Sequence, residues 1–170
     1  MPVTYEEFAR TRLPALLRFA VMLTGDPHSA ADIVQDTMVR AHLKWRQVSA
    51  AQSPEAYVRQ MLTYAFLDWR RGSWLRRVVL RDRPVEPPPA TDPAQESVER
   101  DRIWRLLAGL PRRQRAVLVL RYYEDLADAD IAELLDCTVG TVRGYASRAL
   151  ATLRASAQSV PTSGGFDDRG

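Results

Sequence analysis

The sequence predicts an all-α chain of two small helical domains joined by a flexible, proline-rich linker. Three observations carry this expectation. Apolar residues recur at spacings of three and four in successive segments, the period of a helix with one buried side. Helix-start signals stand before those segments: Thr4, Asp26-Pro27, Ser53-Pro54, Asp92-Pro93 and Thr138. Between Pro84 and Pro93, five residues of ten are proline. No helix runs through Pro87-Pro88-Pro89, so this segment is expected to be extended and mobile and to divide the chain.

Each element follows in order. Thr4-Tyr5-Glu6-Glu7 has the form of a capping box. Phe8, Leu13, Leu16, Leu17, Ala20 and Leu23 carry a helix to about residue 23, which Pro14 is expected to kink or break. Gly25 ends it. The second helix, about 27–45, has Ile33, Val34, Met38, Ala41 and Trp45 on its buried side. Asp32 and Asp36 lie one turn apart on another side with Gln35 beside them. Like charges at that spacing weaken an isolated helix, and a basic partner surface would reverse the sign. A plain solvated acidic face is the alternative. His28, Asp32 and Asp36 share a face, but nothing completes a metal-ligand set.

The third helix opens at Ser53-Pro54 with the core stripe Val58, Met61, Leu62, Ala65 and Trp69. Its other side carries Arg59, Thr63, Tyr64, Phe66, Leu67 and Arg70. Aromatics mixed with arginines suit unstacked bases, because rings stack on bases while cations hold the backbone. Burial of those aromatics in the core is the other reading. Arg70, Arg71, Arg76, Arg77, Arg81 and Arg83 make a basic stretch before the prolines.

Beyond the linker, a helix with Val98, Ile103, Leu106 and Leu107 ends at Gly109, and Pro111 opens a short basic helix. Ile131, Leu134 and Leu135 then mark a short helix starting near Asp128. Asp136-Cys137 is a turn, and Thr138 caps a helix whose apolar set is Val142, Ala146, Ala149, Leu150 and Leu153. Thr141, Arg143, Gly144, Ser147 and Arg148 are left facing outwards. Two helices on so short a turn leave the second projecting, as a groove-reading helix must. Arginines there can hold phosphates or read guanine edges. An ordinary helical hairpin with solvated arginines is the competing reading. Gly140 is expected to let the two helices approach closely.

Composition narrows the function classes. The chain has 170 residues, 46% of them hydrophobic, and a formal charge of +3 from 24 basic and 21 acidic residues. This is only mildly basic, so charge alone does not announce a nucleic-acid binder. A single cysteine, Cys137, excludes an intramolecular disulfide and a CxxC zinc site, and fits a reducing cytoplasm. The longest apolar run, Ala116 to Leu120, is too short to span a membrane, and no signal-peptide pattern opens the chain. No nucleophile-and-base constellation or phosphate loop argues for an enzyme. A stand-alone duplex-binding regulator is a rival reading; the aromatic–arginine side of the third helix argues against it.

The wording of the motifs adds more. Leu110-Pro111, Leu120-Arg121, Asp130-Ile131-Ala132, Asp136-Cys137, Gly140-Thr141-Val142-Arg143 and Ser147-Arg148-Ala149 resemble region 4 of bacterial sigma factors of the extracytoplasmic-function (ECF) type. Ala31-Asp32-Ile33-Val34-Gln35-Asp36 with Ala41 resembles region 2.2 of the same family, and Tyr57 to Arg71 resembles regions 2.3 and 2.4. The loop from about Arg46 to Pro54 corresponds to the family's base-specificity loop. The SigE-like actinobacterial members are the most similar in wording. The sequence departs from the pattern at Tyr64, where many members have asparagine, at Ala127, where many have an N-capping serine or threonine, and at Gly144, commonly serine.

The resemblance implies a sigma factor, not an enzyme, with no cofactor and no metal, acting in the cytoplasm. Residues 1–75 would be region 2, 76–93 the basic and proline-rich linker, 94–155 region 4 and 156–170 a disordered tail. Asp32, Gln35 and Asp36 would meet the polymerase. Tyr64, Phe66, Trp69, Arg70 and Arg71 would hold melted minus-10 DNA. Arg121, Thr141, Arg143, Gly144, Ser147 and Arg148 would contact the minus-35 duplex. The implied partners are the RNA polymerase core, through clamp and flap, and promoter DNA, without membrane insertion. The resemblance leaves open whether an anti-sigma factor also binds.

Overall fold

The computed structural model describes residues 2–68 and 102–159. Both stretches are helical, and no strand occurs among the described residues. The proline-rich segment, the basic stretch before it and residues 160–170 lie outside them. Helix α1 spans Tyr5–Thr24, α2 Pro27–Leu43, α3 Trp45–Ala50 and α4 Pro54–Asp68. In the second half, α5 covers 102–108. Helix α6 runs over Arg112–Leu118 and continues into a π-helical turn at Val119–Tyr123. Helices α7 (Asp128–Leu134) and α8 (Val139–Gln158) complete the chain.

The helix starts follow from local chemistry. The Thr4 side chain accepts from the Glu7 amide at 3.3 Å. Asp26 accepts from the amides of His28 (3.4 Å) and Ser29 (3.0 Å) and from the Ser29 hydroxyl (2.7 Å). Burial pushes the Asp26 carboxyl up, but these bonds outweigh it and hold it below its ordinary value. Ser53 takes the Ala56 amide at 3.2 Å, and Thr138 takes the Thr141 amide at 3.1 Å. Each such cap stabilises a helix by about 1 kcal/mol. At Gly25 the chain leaves α1 with φ +71°, a left-handed conformation that glycine adopts without strain, and its amide bonds Val21 O at 2.7 Å.

Four sequence expectations change. Helix α1 runs unbroken through Pro14, which sits on its exposed side. The second helix stops at Leu43, and Trp45 begins the separate α3, so part of the expected specificity loop is helical. Helix α8 continues to Gln158, past Ala155 where the apolar periodicity ends. A Cβ on Gly140 would meet nothing nearer than the Thr138 hydroxyl at 3.8 Å, so helix packing within the chain does not require glycine there.

The core of the first half is Phe8, Leu16, Phe19, Leu23, Ile33, Val34, Met38, Val48, Val58, Leu62 and Phe66. In the second half, Ile131 and Leu135 of α7 pack with Val142, Ala146 and Ala149 of α8 around α6. Residues 115 to 120 are all buried, which is how a helix that is apolar on every side behaves when it lies in the middle of a fold. The two cores are continuous.

Their junction is polar as well as apolar. Arg115, only 7% exposed, donates to Leu23 O at 2.9 Å in the first half and to Ala108 O at 2.8 Å in the second. Burial lowers its guanidinium pKa from the ordinary value, and the like charge of Arg112 adds to this. Arg59 of α4 pairs with Glu124 just past the π turn and with Glu55 one helical turn back at 2.7 Å. Tyr123 stacks on Phe19 with ring centroids 6.4 Å apart.

Candidate nucleic-acid interface

Helix α8 rests on α6 and α7 through Val142, Ala146 and Ala149, and this fixes which side it presents. Arg143, Ser147 and Arg148 are exposed on the opposite side, with Thr141 and Gly144 half-buried between them. The Thr141 hydroxyl lies 2.9 Å from that of Thr138, so it is already engaged at the helix cap. Arg148 lies over the Tyr145 ring at 5.4 Å, and a Cβ on Gly144 would come within 3.6 Å of its guanidinium. That is ordinary contact distance, so the position of the Arg148 fork along the helix surface does not depend on glycine at 144.

Arg121 takes a different place. The π turn aims it at Asp128, the first residue of α7, and the two form a bidentate pair: Nε to Oδ1 at 2.9 Å and Nη2 to Oδ2 at 2.7 Å. The same Oδ2 accepts from Arg143 Nε at 3.4 Å. These bonds, led by those from Arg121, hold the Asp128 carboxyl below its ordinary range despite some desolvation. The Asp128 bond in turn raises the Arg121 guanidinium. The π turn itself was not legible: Glu124 N–H bonds Val119 O at 3.1 Å, five residues back, and the segment reads as plain helix. Ala127 occupies the N-cap of α7 with no side-chain bond, as its sequence implies.

On α4, Tyr64 is exposed at 41% and accepts from Gln60 Nε2 at 3.3 Å. Phe66 corrects the sequence expectation. It is 2% exposed, with the guanidinium carbons of Arg112 and Arg115 at 5.7 and 5.8 Å from its ring centre. In this arrangement it is a core side chain and offers no face to a base. Thr63, grouped with the exposed side, is also buried. Trp69, Arg70 and Arg71 lie outside the described residues.

On α2, Asp32 and Gln35 are exposed and Asp36 is half-buried. Val39 (56% exposed) and Leu43 (79%) share their side of the helix. Sequence reasoning missed these two. The signal was available, because 32, 36, 39 and 43 keep helical spacing and skip the buried stripe of Ile33, Val34, Met38 and Ala41. This face has carboxylates at one end and exposed aliphatic side chains at the other.

Two family models match the chain: Sigma-70 region 2 over residues 8–76 and Sigma-70, region 4 over residues 100–153. The chain is 33% identical over 150 residues to the RNA polymerase sigma-E factor of Streptomyces coelicolor, covering 88% of this chain and 84% of that protein. The chain belongs to the sigma-70 family. Within it the ECF group is the match: the ECF RNA polymerase sigma factor SigL of Mycobacterium tuberculosis is 31% identical over 166 residues, 94% of this chain and 90% of that one. Among solved structures, the fold is similar to the sigma factor RpoE of Bartonella quintana in complex with the anti-sigma factor NepR. That match has a TM-score of 0.68 at 24% identity and covers 92% of this chain and 98% of the other. CnrH in complex with the cytosolic domain of CnrY follows at 0.58 and 20%, covering 92% and 89%. As an ECF sigma factor, the chain directs promoter-specific transcription initiation.

Proposed function

We propose that this sigma factor joins the RNA polymerase core through α2, reads minus-35 duplex with α8, and holds melted minus-10 DNA along α4. The observation that carries this reading is the projecting side of α8. There Arg143, Ser147 and Arg148 stand clear of a helix whose other side is buried. Such a helix fits the major groove, where arginine forks match guanine edges and phosphates. Arg121 lends its charge at the rim, and Thr141 and Gly144 let the backbone of α8 approach.

At minus-10, Tyr64 is the described platform, and Trp69, Arg70 and Arg71 are proposed to extend it. Duplex opening costs a few kcal/mol per unstacked step, so the platform acts only once the polymerase helps hold the strands apart. The Asp32, Gln35 and Asp36 surface, with Val39 and Leu43, would meet a basic and partly apolar patch of the clamp. Opposite charge speeds and orients that encounter, while the aliphatic side chains supply burial. Region 4 would seat on the flap. The chain performs no chemistry of its own, needs no cofactor or metal, and works in the cytoplasm; among the described residues no helix is long and apolar enough to cross a membrane. The bounds 1–75, 76–93 and 94–155 for region 2, linker and region 4 are supported by the two family matches. An anti-sigma partner is supported by the fold neighbour RpoE, which is in complex with the anti-sigma factor NepR.

The test is run-off transcription from genomic fragments with core polymerase, with and without the chain. Start sites that need the chain and share a minus-35 and a minus-10 element are the expected result. Specific, tight duplex binding without core, and no added start sites with it, would favour a stand-alone regulator.

A further inference from the structure

Asp128 joins a side-chain salt bridge to the exposed side of α8. Arg121 occupies both carboxylate oxygens of Asp128 in two near-parallel bonds of 2.9 and 2.7 Å. A planar fork on a carboxylate is the most directional charge-assisted pairing a side chain offers. It restrains the carboxylate, and the pair is half-buried, with side chains 26% and 19% exposed. The locked Oδ2 then faces Arg143 Nε at 3.4 Å, while the Arg143 side chain remains 71% exposed. With Nε on the carboxylate, the end-on fork of the Arg143 guanidinium, one N–H from each terminal nitrogen, remains for a bidentate contact with a guanine edge. A long arginine otherwise gives up much rotamer freedom on binding, and a group that orders it beforehand reduces that loss.

We propose that Asp128 is a positioning residue for minus-35 discrimination: locked by Arg121, it aims Arg143 at one base, and Arg121 acts through it. This rests on the reading of α8 as the duplex reader. It also gives the carboxylate a second effect. A negative group beside the reading helix disfavours phosphate contacts everywhere on the DNA, so it trades general affinity for selectivity.

The experiment uses holoenzyme assembled from core and the full chain, on promoters carrying every single-base change in the minus-35 element. Asp128→Asn should lose about tenfold of discrimination at one base position and leave the other positions unchanged. The free Asp128→Asn chain should bind random duplex more tightly than wild type. In an Arg143→Ala background, Asp128→Asn should have no further effect on base preference. A uniform loss over all promoters, or the same loss with and without Arg143, would overturn the proposal and leave Asp128 a helix-start residue. If Asp128→Asn melts below the assay temperature, Asp128→Ser, which keeps a helix-start hydroxyl, is judged by the same criteria. Unfolding of both overturns the proposal. If Arg143→Ala alone alters no base preference, the reading of α8 has failed, a result distinct from an Arg143 that reads without help from Asp128.

Discussion

Asp26 and Arg115 show what single residues contribute. Asp26 caps α2 with bonds from Ser29 and His28 that hold its carboxyl below the ordinary value. A carboxyl depressed on folding adds stability that is present above its unfolded pKa and is lost as the pH falls through the folded value. Asp26→Asn keeps a cap but removes the charge. Its melting temperature should therefore fall less steeply than that of wild type as the pH drops from 6 towards 3, on the order of the carboxylate range. Asp26→Ala should cost about 1 kcal/mol at neutral pH, read from urea denaturation. Arg115→Leu should cost about 1.5–3 kcal/mol by leaving buried carbonyls without a donor. The caps were legible because Thr4, Asp26, Ser53 and Thr138 act on amides two or three residues away. Arg115 and Phe66 were not, because their burial depends on elements that pack from the other half of the chain.

Among the elements, α8 was the most legible. Its cap and its buried Val142, Ala146 and Ala149 follow from one helical period, as do the exposed Arg143, Ser147 and Arg148, while Thr141, Gly144, Leu150 and Leu153 are half-buried. The π turn was not, since five-residue backbone bonds leave no mark on apolar spacing. Arg121 lies within that turn and is bonded to Asp128, a pairing that the sequence did not show. On α4 the stripe of Val58 and Leu62 was legible, but Phe66 was assigned to the wrong side. A ring between two partly buried sides goes with whichever neighbour covers it, here Arg112 and Arg115. Gly140 supplies a test at this scale. Alanine fits there without a clash, and glycine costs a helix up to about 1 kcal/mol relative to alanine. Gly140→Ala should therefore leave the melting temperature unchanged or raise it. A drop of several degrees would restore a packing role for this glycine.

At the scale of the whole molecule, the two halves touch through Arg115 and Leu23, Arg59 and Glu124, and Tyr123 and Phe19. The sequence told of two helical halves and their division but not of this junction, because contacts between residues 65 or more positions apart leave no local pattern. Glu124→Arg places two cations together and should loosen the junction. The expected outcome is a larger radius of gyration by X-ray scattering with unchanged helical circular dichroism. Docking belongs to this scale too. Asp32→Arg with Asp36→Arg should abolish co-purification with core polymerase while helicity stays intact, and unchanged co-purification would remove the α2 surface from the account.

In the proposed function, promoter recognition by this chain is completed by the polymerase. The chain carries a formal charge of only +3. Alone it should bind promoter duplex weakly and with steep salt dependence. The most direct measurement is permanganate reactivity of minus-10 thymines alongside a footprint over minus-35, each with and without core. Thymine reactivity and a sequence-specific footprint are expected only when chain and core are both present. Tight, specific protection by the chain alone, with no thymine opening when core is added, would contradict the proposed function.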